Sequence, residues 1–168
     1  MEHYFLTTER LKFRLMCLDD APFILELVNQ ASFIANIGDK GVTDLFSAQE
    51  HIHTSYLSQY EKLGFGLYLL VETSTEQPIG VCGLVKRDSF DFPDIGYALL
   101  ERVAGKGYAT EAAIAVLDYA KRELGIDKVL AITSPDNIAS QRVLEKLGLT
   151  FQKQIYLPGY RGASCYYE

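Results

Sequence analysis

The chain has 168 residues, 48% of them hydrophobic and 23% charged, with a formal charge of -6; this fits one globular domain over residues 1–168 and excludes a disordered or collagen-like chain. Net acidity disfavours nonspecific binding to nucleic acid or to an anionic membrane and suits a cationic partner such as an amine. No apolar run nears the roughly 20 residues that cross a bilayer, and Met1-Glu2-His3-Tyr4 lacks a signal-peptide pattern, so a soluble, cytoplasmic protein is expected.

In chain order, Leu11 to Leu15 alternates apolar and polar residues as a half-buried strand does. Leu18-Asp19-Asp20 then offers a helix cap, with Pro22 in the first turn and Phe23, Leu27 and Val28 on the apolar face. A second helix is predicted from Ser47 to Leu63, with Ser47 as N-cap, Glu50 completing a capping box and Gly64 as the stop. Strands follow at Leu67 to Glu72, Ile79 to Arg87 and Ile95 to Leu100, separated by turn-rich segments, which reads as an antiparallel meander. Tyr108 to Leu124 is an amphipathic helix, Lys128 to Thr133 a buried strand, and Asn137 to Leu147 a helix ended by Gly148. Strands at Phe151 to Tyr156 and Ser164 to Tyr167 close an α/β or α+β sheet.

Cys17, Cys82 and Cys165 are too few and too scattered for a disulfide framework or a CxxC site, so reduced, mostly packed thiols are expected. His51 and His53, on different faces of a predicted helix, do not form a zinc-ligating pair, and no metal is implied.

The most informative stretch is Arg102-Val103-Ala104-Gly105-Lys106-Gly107-Tyr108-Ala109, where a strand passes through glycines into a helix. Glycine lets the backbone approach a ligand closely, and the first turn of a helix carries unpaired, partly positive N–H groups, so such a place binds phosphate. Thr110 stands where a dinucleotide fingerprint requires a third glycine, and no GxxxxGK[ST] occurs. NAD and ATP are therefore disfavoured. Taken alone, the glycine pair is equally consistent with a tight strand-to-helix connection.

Arg102, Gly105 and Gly107 match the pattern Arg/Gln-x-x-Gly-x-Gly/Ala, and in this the sequence resembles the GNAT superfamily of acetyltransferases. Asp94-Ile95-Gly96-Tyr97, Gly107-Tyr108-Ala109-Thr110-Glu111-Ala112, Asn137-Ile138-Ala139-Ser140 and the opening Thr8-Glu9-Arg10-Leu11 look more narrowly like its RimJ/RimL branch. That branch acetylates protein amino termini and assorted small amines. The resemblance implies a mixed, mainly antiparallel twisted sheet of about six to seven strands flanked by helices, with acetyl-coenzyme A as cosubstrate and an amine as acceptor. A C2 dimer is the default for this kind of fold.

On this resemblance, backbone N–H groups from Val103 through Ala109 cradle the pyrophosphate, with Arg102 and Lys106 either adding charge at its rim or merely solvated. Ala98, Leu99 and Leu100 supply backbone bonds to the pantetheine arm, and one N–H there polarises the thioester carbonyl. Asn137 contacts the same arm, caps its helix, or does both. Leu144 stands where many of these enzymes carry a tyrosine acid; Ser140 matches the serine of the RimJ/RimL branch, which implies a hydroxyl that hydrogen-bonds the sulfur or hands it a proton, and its bland alternative is a packed hydroxyl. Asp94 is the candidate general base, working through water, with Glu72 its competitor and a turn aspartate the structural alternative. Tyr97 lines the acceptor pocket or belongs to the core. Acceptor-pocket residues are expected between Ser32 and Gly66. The rival to an active enzyme is a non-catalytic acyl-coenzyme A-binding module, for which Leu144 is the best support.

Overall fold

The structure, a computed structural model, describes residues 2–168. Its first sheet has five antiparallel strands in chain order: β1 (Leu6–Thr7), β2 (Leu11–Arg14), β3 (Leu67–Glu72), β4 (Gln77–Val85) and β5 (Asp94–Leu99). A second, three-stranded antiparallel sheet combines β6 (Ala131–Thr133), β7 (Phe151–Ile155) and β8 (Ser164–Tyr167), with β8 in the middle. The described residues thus form the expected mixed, mainly antiparallel architecture flanked by helices, with eight strands in two sheets and not one sheet of about six to seven. The apolar runs of β3 and β4 are buried on both faces, as their near-continuous hydrophobicity requires.

Helices α1 (Ala21–Val28) and α2 (Ala31–Asn36) follow β2. The predicted Ser47-to-Leu63 helix is a run of α3 (Leu45–Ile52), a π-helical turn (His53–Leu57) and α4 (Ser58–Leu63). Its N-cap is Asp44 and not Ser47. The Asp44 carboxylate accepts the Ser47 N–H at 2.8 Å, while Ser47 Oγ accepts the Asp44 N–H at 3.1 Å. Asp44-x-x-Ser47 is itself a reciprocal cap, one turn before the Ser-x-x-Glu pair. Gly64 closes the run at φ +75°, a left-handed conformation that glycine adopts without strain.

Helix α5 (Tyr108–Glu123) buries Tyr108, Ala112, Ala113, Val116 and Ala120, a helically spaced stripe of mostly small residues, and packs on β4 and β5. Helix α6 (Ile138–Lys146) buries only Leu144. Small residues also allow close approach within the sheet. A Cβ on Gly83 would overlap the Gly66 carbonyl oxygen and lie 2.8 Å from Leu67 Cα.

Among the described residues, backbone pairing joins the two sheets at one place. Asp94 pairs in parallel with Leu130, where the Ile95 N–H donates to the Leu130 carbonyl and the Leu130 N–H to the Pro93 carbonyl, each at 2.9 Å. Beyond it β6 turns to β8, and β5 runs on with its outer edge unpaired among the described residues.

Arg14, at the end of β2, forms a bidentate ion pair with Asp20, both contacts at 2.8 Å, with side chains 12% and 8% exposed. Burial pushes the Asp20 carboxyl up, but Arg14 and the Cys17 N–H outweigh it and hold it below its ordinary value. Asp20→Asn strands a largely buried guanidinium, so it should cost about 3 kcal/mol at pH 7. A depressed carboxyl contributes stability above its unfolded value of ~3.9 and loses it as pH falls through the folded one, so the variant's deficit should be smaller at a pH below ~3.9 than at pH 7. Urea midpoints at the two pH values check this. Gly83→Ala, which must move backbone, should cost at least about 3 kcal/mol and show as lost soluble yield or a lowered melting temperature.

Candidate active site

Strand parity decides which backbone groups face the cleft between β5 and β6. The Ile95 N–H points across to Leu130, whereas the Leu100 N–H points back to the Ile79 carbonyl of β4 at 2.8 Å. Backbone N–H groups alternate along a strand, so Tyr97 and Leu99 present theirs to the open edge. Ala98 and Leu100 are committed to β4, which narrows the expected Ala98-to-Leu100 set to Leu99 and adds Tyr97.

The edge leads into the glycine loop. The Val103 and Ala104 N–H groups turn back to the Leu100 and Glu101 carbonyls at 3.0 and 3.1 Å, closing a 3₁₀ turn. Among the described residues, the N–H groups from Gly105 to Ala109 donate to no protein acceptor. The expected cradle therefore starts at Gly105 and not at Val103. Gly105 and Gly107 hold φ of +75° and +83°, left-handed values that only glycine adopts without strain. A Cβ at Gly105 would meet nothing within 4 Å, so this side of the loop is open. Arg102 and Lys106 are exposed, while Val103 and Tyr108 are buried.

What fixes the loop is a contact between distant parts of the chain. Glu111, in the first turn of α5, accepts from Thr8 Oγ1 at 2.6 Å, from the Arg10 backbone N–H at 2.9 Å and from Arg10 Nε at 2.7 Å. Arg10 Nη1 donates to the Lys106 carbonyl at 2.9 Å, and its guanidinium lies 4.2 Å from the Tyr108 ring centre. Burial pushes the Glu111 carboxyl up, yet Thr8 and Arg10 outweigh it and leave it below its ordinary value. The Tyr108 hydroxyl donates to Glu72, which also accepts from Thr75 at 2.7 Å. Glu72 thus serves the loop end of the sheet.

Asp94 lies at the root of the cleft, 1% exposed and 3.0 Å from Arg87 Nε. Burial pushes its carboxyl above its ordinary value, and Arg87 offsets only part of that. A carboxylate reached by water was expected, and a buried carboxylate paired with a partly exposed arginine stands there. Arg87 Nη1 also donates to Tyr160 at 2.6 Å, and a cavity of about 240 Å³ opens between Arg87, Asp88 and Ser89 and Leu157, Pro158 and Tyr160. These residues lie outside the Ser32-to-Gly66 segment expected to line an acceptor. Asn137 caps α6, its side-chain oxygen accepting the Ser140 N–H at 3.1 Å. Ser140 meets Tyr97, with 2.8 Å between the hydroxyl oxygens. Leu144, one turn on, is 1% exposed.

Residues 10–150 match the family model described as an acetyltransferase (GNAT) domain. The chain belongs to the GNAT acetyltransferases. It is 30% identical over 159 residues to the uncharacterised N-acetyltransferase p20 of Bacillus licheniformis, covering 94% of this chain and 88% of p20. It is 31% identical over 107 residues to the [ribosomal protein uS5]-alanine N-acetyltransferase of Escherichia coli, covering 62% of this chain and 54% of that enzyme. RimL, a ribosomal L7/L12 α-N-protein acetyltransferase solved with coenzyme A, superposes at a TM-score of 0.82 with 20% identity, over 98% of this chain and 96% of that one, a likeness of fold.

In this acetyl-coenzyme A-dependent acetyltransferase, the Glu111 network bonds the start of α5 to the turn between β1 and β2. Glu111→Ala removes three acceptor contacts and should lower stability by about 2 kcal/mol. Disrupting the exposed Arg122–Asp118 pair, with side chains 60% and 57% exposed, should cost no more than about 0.5 kcal/mol. Thermal melts of the two variants check the contrast; equal losses would contradict a special role for Glu111.

Proposed function

We propose that this chain acetylates primary amines, with the α-amine of a protein or peptide as its preferred acceptor. The observation that carries the reading is the continuity of one surface, in which the unpaired edge of β5 runs directly into the free N–H groups of the glycine loop. The two suit the two halves of the cosubstrate. The N–H groups of Gly105, Lys106, Gly107, Tyr108 and Ala109 bind the pyrophosphate at the positive end of α5, with Arg102 and Lys106 at the rim. Tyr97 and Leu99 bond the pantetheine arm along the open edge, and a backbone N–H there polarises the thioester carbonyl, a type of contact typically worth ~3 kcal/mol of barrier. Asn137 holds α6 in place beside that edge. Ser140 donates its hydroxyl to the departing sulfur.

An α-amine needs little help to react. Its ordinary value of ~7.7–8.0 leaves a useful neutral fraction at neutral pH, whereas an alkyl amine near ~10.4 is almost wholly protonated. The burial and ion pairing of Asp94 support assigning it to Arg87 and the cleft root and not to proton abstraction. The uS5-alanine relative supports the same acceptor class. The whole chain is assigned to one cytoplasmic catalytic domain, consistent with a single connected core and with the lack of any helix long and apolar enough to cross a membrane among the described residues.

Thiol release from acetyl-coenzyme A over a panel of peptides, amino acids, polyamines and aminoglycosides tests the assignment. Peptides with free amino termini should support turnover that blocked peptides do not. Gly107→Trp, which places a bulky group at the loop, should leave less than about a tenth of it. Coenzyme A binding that depends on Gly107 with no release on any amine would replace the enzyme with a binding module.

A further inference from the structure

Ser140 is an unusual helical serine. A hydroxyl on a helix ordinarily bonds back to a carbonyl of the preceding turn, but the Ser140 side chain makes no such bond. Its Oγ lies 2.8 Å from the Tyr97 hydroxyl, across the cleft from α6 to β5. The carbonyl of Ser140 is a second acceptor for the same phenol, more distant at 3.2 Å. Both side chains are half-buried. Burial pushes the Tyr97 hydroxyl up to about 12, with Ser140 offsetting part of the rise.

A serine hydroxyl has one hydrogen and two lone pairs. If that hydrogen were spent on a protein acceptor, none would remain for a departing sulfur. We propose that Tyr97 is a positioning residue for acetyl transfer: its phenol donates to Ser140 Oγ and so keeps the Ser140 hydrogen free for the leaving thiolate. The inference rests on the Ser140 reading given above. In the transfer a C–N bond forms and the C–S bond breaks. The electron pair stays on sulfur, steadied by the Ser140 O–H, and the thiol is completed by the proton that the nitrogen sheds through solvent. Tyr97 loses no proton at any point, and being protonated throughout the physiological range it remains a donor. Successive hydrogen bonds polarise one another, so the phenol also strengthens the Ser140 donor.

A double-mutant cycle on the full chain tests this, with Tyr97→Phe, Ser140→Ala and the pair. Two readouts are used: kcat and KM for acetyl-coenzyme A, and the pKa of the bound coenzyme A thiol, followed by its ultraviolet thiolate absorption without any acceptor. Tyr97→Phe should lower kcat about 10-fold with KM unchanged and raise the bound thiol's pKa by about half a unit. Ser140→Ala should do the same or more, and adding Tyr97→Phe to it should change nothing further. The cycle separates this from a structural contact because the Ser140 carbonyl survives in Ser140→Ala. If the phenol matters only by holding that carbonyl, Tyr97→Phe will cost as much in the Ser140→Ala background as in the parent. That outcome, or a rise in KM with kcat unchanged, overturns the proposal. A Ser140→Ala protein with unchanged kcat and thiol pKa overturns the Ser140 reading and this inference with it, whereas an affected Ser140→Ala beside an unaffected Tyr97→Phe overturns the inference alone.

Discussion

The structure depends on one parallel contact between two strands that then part. At Asp94 and Leu130 the sheets are joined by a pair of backbone hydrogen bonds, and from there β5 continues while β6 is taken by β8. Unpaired backbone groups inside a protein are costly unless water or a ligand meets them. Here the exposed edge is kept open because its two neighbours are satisfied elsewhere. β6 has a full antiparallel partner in β8, and β5 has one in β4. The Asp94–Arg87 pair stands at the vertex, where removing Arg87 would leave the buried Asp94 carboxylate uncompensated beside the backbone pairing of the two sheets.

A cleft of this kind is useful only if the loop at its mouth keeps its shape, and two left-handed glycines do not guarantee that. Their conformational freedom permits the turn without specifying it. Specification comes from Glu111 and Arg10. Between them they link the first turn of α5, the Lys106 carbonyl and the turn between β1 and β2. Charge-assisted bonds to a partly buried carboxylate are stronger than surface pairs, so the amino-terminal hairpin is coupled to the glycine loop.

Legibility in the sequence followed how local each constraint is. The apolar runs of β3 and β4, the stripe from Tyr108 to Ala120 and the stops at Gly64 and Gly148 depend on neighbours within a few residues, and their periodicity and turn chemistry mark them. The glycine loop was visible for the same reason, and the family pattern sharpened it. Edge parity was not, because which of Ala98 and Leu99 faces the cleft depends on pairing with β4. The Glu111 contacts join residues about a hundred positions apart, beyond any periodicity. The surroundings of Asp94 are not legible, because an acid shortly before Gly-Tyr looks the same in sequence whether it faces water or Arg87. The Asp44 cap is hidden for a different reason: two overlapping capping pairs compete, and the extended backbone of Asp44 decides between them.

Leu144 is the sharpest departure from the wider family, and its surroundings bear on whether chemistry was lost with the tyrosine. The side chain is 1% exposed and is the one buried residue of α6. The position has become part of the core, and a phenol there would need to bury a hydroxyl without an assured partner. A tyrosine hydroxyl is still present in the cleft, contributed by β5 through Tyr97 and not by α6, and it meets the helix at Ser140. This phenol stands on a strand held on one side by β4, a fixed position that suits a group whose task is to orient another hydroxyl.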